Sequence, residues 1–181
     1  MTQTLTAFQR VTAMNVAFGN KAGNPLDIDA TRVRNQCRSI LHEFCELQVA
    51  LGADQNTVQA ILDAAKKLTY SGDAIDVDGA RDALCDIKVF GDGAHHFMGY
   101  DADKDMNSMI DGVMTRFIKD EADKQATIEM HAAKGVTDVY FEGDFPTMVM
   151  KSAVDQPDAP KGKFLKSASY REPVFYSASP T

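Results

Sequence analysis

Long apolar runs are missing from this sequence: each hydrophobic stretch is short and broken by charge, so no segment reads as a membrane-spanning helix and no membrane partner is expected. Also missing is a basic region leading into an apolar one at the start. Met1-Thr2-Gln3-Thr4-Leu5 does not read as a secretory signal, and a cytoplasmic location is the expectation. Cysteine is scarce: Cys37, Cys45 and Cys85 have no Cys-x-x-Cys spacing, which argues against a disulfide framework and for reduced core thiols. Basic residues are in deficit. A formal net charge of −7 argues against general binding of a nucleic-acid polymer, whose phosphate backbone demands clustered Lys and Arg. No window repeats along the chain, so a solenoid is not indicated.

What is present is enough for one domain with a real core. The chain has 181 residues, of which 44% are hydrophobic and 25% charged, the profile of a globular protein rather than a disordered one. An acidic balance is compatible with a nucleotide substrate, because a metal ion can mediate between carboxylates and phosphates.

Periodicity predicts a mainly helical body. Leu5, Phe8, Val11, Met14 and Val16 fall close to helical spacing between Thr4 and Phe18, before Gly19 to Pro25 breaks the pattern. A second helix is predicted from Asp29 or Thr31 to Leu51, with Gly52 after it, and a third from Asn56 to Leu68. Beyond a polar loop at Gly72 to Asp78, helices are predicted over Gly79–Met98, Asp103–Ile118 and Lys124–Lys134, the last stopped by Gly135. The character then changes. Val136 to Glu142 alternates and is β-branched and aromatic, and Met148–Met150 and Phe164–Leu165 are candidate partner strands. The expected organisation is a helical body over residues 1–135 and a C-terminal arm with short strands over 136–181, part of the same domain.

Two acidic pairs carry the chemistry. Glu43 and Glu46 are three apart on the second helix, and Asp82 and Asp86 are four apart on the fourth, so each pair shares a helix face. Leu41, Phe44 and Leu47 surround the first pair; Ala83, Leu84, Ile87 and Val89 surround the second. Acids bordering apolar stripes on two helices would meet across a groove, where repulsion and lost hydration call for a cation, and hard oxygen donors suit Mg²⁺ or Mn²⁺. Acids at helical spacing ordinarily form a solvated face, and spacing alone leaves both readings open. His95 and His96 are adjacent, about 100 degrees apart on a helix, so they cannot readily chelate one ion together; with His131 they read as packing, interface or surface residues. The nine methionines read as core filler.

These residues resemble the signature of the all-α, MazG-like nucleoside triphosphate pyrophosphohydrolases, Glu-Glu-x-x-Glu on one helix and Glu-x-x-Asp on a later one. Here the first motif stands as His42-Glu43-x-x-Glu46, with His42 in place of the leading Glu, and the second as Asp82-x-x-x-Asp86, with Ala83 where the family has Glu. The Asp-Ala-Leu-x-Asp form is closer to the phosphoribosyl-ATP pyrophosphohydrolase-like subgroup found in phages and bacteria. Gly91, Gly93, Gly99-Tyr100-Asp101, Val113 to Lys119 and the ending Gly162-Lys163-Phe164-Leu165-Lys166 with Tyr170 and Pro173 extend the likeness, which runs from about Val11 to Phe175.

The resemblance implies an all-α fold, a MazG-like helical bundle with a short β-containing C-terminal arm, the 1–135 body being the catalytic domain. It implies metal-dependent hydrolysis of a (deoxy)nucleoside triphosphate to the monophosphate and pyrophosphate, with guanine nucleotides among the candidate substrates and Mg²⁺ (or Mn²⁺) as cofactor. Glu43, Glu46, Asp82 and Asp86 carry over as metal ligands. His42, Glu43 and Glu46 are the candidates for orienting or deprotonating the attacking water. Arg116, Lys119 and Lys166 are the candidate clamp on the β- and γ-phosphates. Phe18, Asn20 and Tyr170 are the candidates for the base, Phe18 being also a natural core residue. A homodimer or homotetramer is implied, with Tyr140, Phe141, Phe145 and Phe164 available for burial between subunits. If a phage encodes the chain, its compartment is the host cytoplasm. The alternatives are a non-catalytic nucleotide-binding or sensing module, a helical protein whose acids are simply solvated, and a true phosphoribosyl-ATP hydrolase.

Overall fold

The computed structural model of the chain describes residues 5–175. Among them are six helices and one small sheet: α1 (Ala7–Ala17), α2 (Ala30–Ala50), α3 (Gln55–Lys66), α4 (Val77–Met98), α5 (Ala102–Met114), α6 (Glu121–Ala132), β1 (Val139–Glu142), β2 (Val149–Ser152) and β3 (Phe164–Leu165). The protein is therefore mainly helical, with the strands confined to the C-terminal part. The contacts divide the described residues into two compact units, one of residues 5–22 and 89–175, the other of residues 23–88. The strand-bearing segment lies in the first unit with α1, α5 and α6.

Helix starts are set by side-chain caps. The Thr6 hydroxyl accepts from the Gln9 N–H, while the Gln9 amide oxygen returns a bond to the Thr6 N–H, a reciprocal box that satisfies two otherwise orphaned donors. The Asp29, Asp54, Asp101 and Asp120 carboxylates accept from first-turn N–H groups of α2, α3, α5 and α6, without the returning bond.

In the first unit α1 packs on α5, fastened where Arg10 reaches Asn107 and Asp111. The three strands run antiparallel in the order β1-β2-β3, with Phe141 opposite Met150 and Met150 opposite Leu165. Their inner face covers a core of Ile118, Val136, Met150, Ala159 and Leu165, against which Ile128, Val139, Phe141 and Met148 pack. The alternation read over Val136 to Glu142 holds within β1, where Val139 and Phe141 face that core and Tyr140 and Glu142 are exposed, but not at Thr137 and Asp138, which are both exposed.

The fifth helix ends at Met114, four residues before the sequence suggested. Its continuation is diverted by the chain's C-terminal part. The Thr115 carbonyl accepts from the Ser167 hydroxyl (2.8 Å), the Arg116 carbonyl from the Ser167 N–H (3.2 Å), and the Ile118 N–H donates to the Met148 carbonyl (2.9 Å). Backbone groups that would extend the helix are thus engaged by segments thirty or more residues away.

The second unit is built differently. α2 packs on α3, and two arginines of α2 hold the loop that follows α3. The Arg34 guanidinium lies 4.4 Å from the Tyr70 ring centre and donates to the Gly72 carbonyl at 2.8 Å; Arg38 lies 5.6 Å from the same ring and donates to the Leu68 carbonyl. Few side chains are buried here: Ala30, Cys45 and Val58. Cys45 is the core thiol that the sequence suggested, whereas Cys37 and Cys85 are exposed; all three are free. Along α4 no residue is buried. Met150 is fully enclosed, but Met98, Met106 and Met109 are exposed, so methionine is core filler only in part. Among the described residues no helix is long and apolar enough to cross a membrane.

Candidate functional site

α2 turns 3.6 residues per revolution, so His42, Glu43 and Glu46 emerge on one side of it. Each offers a ligand atom, and these atoms all lie within 4.8 Å of one another. Within the group, His42 Nδ1 is 3.4 Å from Glu46 Oε1. Among the described residues this is the one set of three or more His, Cys, Asp or Glu side chains so gathered, and all three members are exposed. The donor set, two carboxylates and an imidazole, suits a divalent ion that keeps several waters, and Mn²⁺ accepts the nitrogen more readily than Mg²⁺.

Asp82 and Asp86 do not join that group. Both are exposed on α4, and the expected meeting of two acidic pairs across a groove is not made within the single chain. Phe44 and Leu47, which flank the glutamates, are half open to solvent, as are Leu84 and Ile87 beside the aspartates. The apolar stripes that were to line the groove therefore lack cover.

In the first unit the chain brings other predicted residues together. Arg116 lies 5.5 Å and the Lys166 ammonium 4.0 Å from the centre of the Tyr170 ring. The Arg116 Nε is buried and has no hydrogen-bond partner. Lys166 donates to Glu172 Oε1 at 3.0 Å, and the Tyr170 hydroxyl donates to Glu172 Oε2 at 2.7 Å. These contacts displace both titrations. Tyr170, then Lys166, hold the Glu172 carboxyl below its ordinary range, and the Glu172 hydrogen bond raises Lys166 above its own.

The segment bearing Lys166 and Tyr170 is fixed by buried polar groups that the sequence reading passed over. Asp123, only 7% exposed, accepts from the Ser169 hydroxyl (3.0 Å) and from the Lys119 N–H (3.2 Å). The fully buried Thr127 hydroxyl donates to the Asp123 carbonyl and accepts from the Ala168 N–H at 2.9 Å. His131 Nε2 meets the Lys166 carbonyl at 2.9 Å, which accounts for that histidine as a packing residue. The Ser-x-Ser spacing at Ser167 and Ser169 was the available signal, since short hydroxyls commonly serve backbone and neighbouring acids.

Of the remaining expected substrate contacts, Phe18 and Asn20 make contacts within the chain and the Lys119 side chain is exposed. Phe18 stacks 4.7 Å from Phe117 and 5.3 Å from Phe164, an aromatic cluster in which it is a packing residue. The Asn20 amide donates to the Asn15 side chain at 3.1 Å. Lys119 is exposed, and its main-chain N–H is what ties it to Asp123. No family model, curated protein or solved structure matches the chain.

Proposed function

We propose that the chain is a divalent-metal-dependent nucleoside triphosphate pyrophosphohydrolase of the MazG-like kind, cutting between the α- and β-phosphates. The observation that carries this reading is the convergence of His42, Glu43 and Glu46 on one face of α2. Asp82 and Asp86 complete the ligand set when the exposed faces of α2 and α4 are covered.

When bound, a divalent ion neutralises phosphate charge and acidifies a coordinated water. Glu43 and Glu46 would hold the ion, and with His42 they would offer acceptors for the proton that leaves the attacking water. His42 Nδ1 lies 3.4 Å from Glu46 Oε1, so the two side chains offer neighbouring acceptors on one helix face. In the other unit, Arg116 and Lys166, both beside the Tyr170 ring, are the candidate phosphate-binding cations. Guanine nucleotides are candidate substrates. The partner is a second copy of this chain, which supplies the missing cover for Phe44, Leu47, Leu84 and Ile87.

The test is pyrophosphate release from a panel of ribo- and deoxynucleoside triphosphates with Mg²⁺ and with Mn²⁺. Turnover that depends on metal and is lost in Glu43→Ala supports the proposal; absence of pyrophosphate from the whole panel overturns it. A second reading, a nucleotide-binding module without turnover, is favoured by the exposure of all four acids and by the histidine at position 42. It predicts saturable nucleotide binding in the same panel with no product.

A further inference from the structure

The cluster at Arg116, Lys166 and Tyr170 is more than a set of cations awaiting a ligand, because a carboxylate of the same chain already sits in it. Lys166 and the Tyr170 hydroxyl each donate to a different oxygen of Glu172. That is the two-point recognition an oxyanion receives from a protein, and charge-assisted bonds of this type are the stronger ones. Arg116 adds favourable charge toward Glu172, while its Nε–H is buried without an acceptor. A buried donor left unpaired carries a desolvation penalty that an incoming acceptor would remove. Glu172 accepts one bond on each of its oxygens and none from this donor. A phosphoryl group brings a third oxygen and more negative charge to the same cations.

The receptor is also rigidly presented. The Ser167, Ala168 and Arg171 main-chain groups are bound to Arg116, Thr127 and Thr115 respectively, so Lys166 and Tyr170 have a fixed base while Glu172 lies on the exposed side. None of these main-chain bonds involves the Glu172 side chain, which is held only by Lys166 and Tyr170.

We propose that Arg116, Lys166 and Tyr170 form a receptor for a phosphate-class anion and that Glu172 is its tethered occupant, displaced when the ligand enters. The inference rests on the phosphate-clamp role proposed above for Arg116 and Lys166 and adds the element that regulates access to them. A site occupied by its own chain for nine-tenths of the time binds an external ligand about tenfold more weakly than the open site would. Removing the occupant's charge therefore strengthens binding.

The experiment is calorimetric titration of the full chain with inorganic pyrophosphate in the presence of a chelator, so that no metal site contributes. Glu172→Gln is expected to bind pyrophosphate several-fold more tightly than wild type, and Lys166→Met to bind it at least tenfold more weakly. The Arg116 Nε–H resonance, followed by nitrogen–proton correlation spectroscopy, should move on titration in Glu172→Gln. Equal or weaker binding by Glu172→Gln overturns the inference, because an ion pair that merely pins the chain gives that result. So does absence of binding in both wild type and Glu172→Gln. The hydrolytic reading fails separately: a chain that binds pyrophosphate in the expected order but releases none from nucleotides keeps the receptor and loses the enzyme.

Discussion

At the scale of single residues, spacing proved informative within a helix and uninformative between helices. Glu43 and Glu46 share a face because three residues are nearly one helical turn, and the structure places their ligand atoms together with that of His42. Asp82 and Asp86 share a face for the same reason, yet whether that face meets α2 depends on packing that no local pattern encodes. Glu172 was missed although it lies inside the motif that names Lys166 and Tyr170, because an acid near cations reads as an ordinary surface pair. If the α2 group is a metal site, Glu43→Ala should abolish Mn²⁺ binding in calorimetric titration, and Asp86→Ala should do so only if α4 is drawn in. His42→Glu, which adds a third carboxylate to the cluster, should raise Mn²⁺ affinity several-fold, since hard-cation sites tighten with ligand charge. Unchanged affinity in His42→Glu would mean that position 42 faces away from the ion.

At the scale of elements, the helices were legible because caps and periodicity agree, and the departures have local causes. Pro173 shows how such a cause arises. A methyl group on Gly112 would lie 2.9 Å from Pro173 Cγ and 3.0 Å from its nitrogen, far closer than side chains pack. Alanine in a helix interior is ordinarily favoured over glycine by ~1 kcal/mol. Here Gly112→Ala should instead destabilise the fold by about 1–3 kcal/mol, the usual cost of overpacking, and loosen the segment after Ser167. Chemical denaturation measures the first effect, and proteolysis near Arg171 the second.

The helix caps give a pH dependence of definite sign. Thr57, through its N–H and then its hydroxyl, lowers the Asp54 carboxyl below its ordinary value of 3.8, and the Lys104 N–H lowers Asp101 likewise. A folded pKa below the unfolded one means that the contribution is complete above about pH 4 and disappears as the pH falls through the lowered values. Far-UV circular dichroism should therefore show α3 and α5 fraying at the acid end. The double variant Asp54→Asn and Asp101→Asn, which keeps the caps without the charge, should flatten that loss.

At the scale of the whole molecule, what the sequence could not disclose is how much apolar surface one copy leaves uncovered. Amphipathic patterning shows that a stripe exists but not what it faces. On α2, Phe44 and Leu47 are 51% and 41% exposed; on the first half of α4, Leu84 and Ile87 are 43% and 49% exposed. Each is already about half buried, so covering the remainder is worth roughly 1 kcal/mol apiece, a gain that the proposed second copy would supply. The acids Glu43, Glu46, Asp82 and Asp86 are interleaved with those side chains, so covering the stripe also strips water from the carboxylates. Desolvated like charges repel, and a divalent ion relieves the repulsion. Assembly and metal binding should accordingly be linked, each strengthening the other by the same factor. Leu84→Asp puts a charge into the stripe without touching a ligand. In sedimentation velocity it should shift the chain toward monomer, and in calorimetry it should weaken Mn²⁺ binding at least tenfold. A monomeric Leu84→Asp that binds Mn²⁺ as tightly as wild type would show that the His42–Glu43–Glu46 group works alone, and the coupling of assembly to metal would be lost.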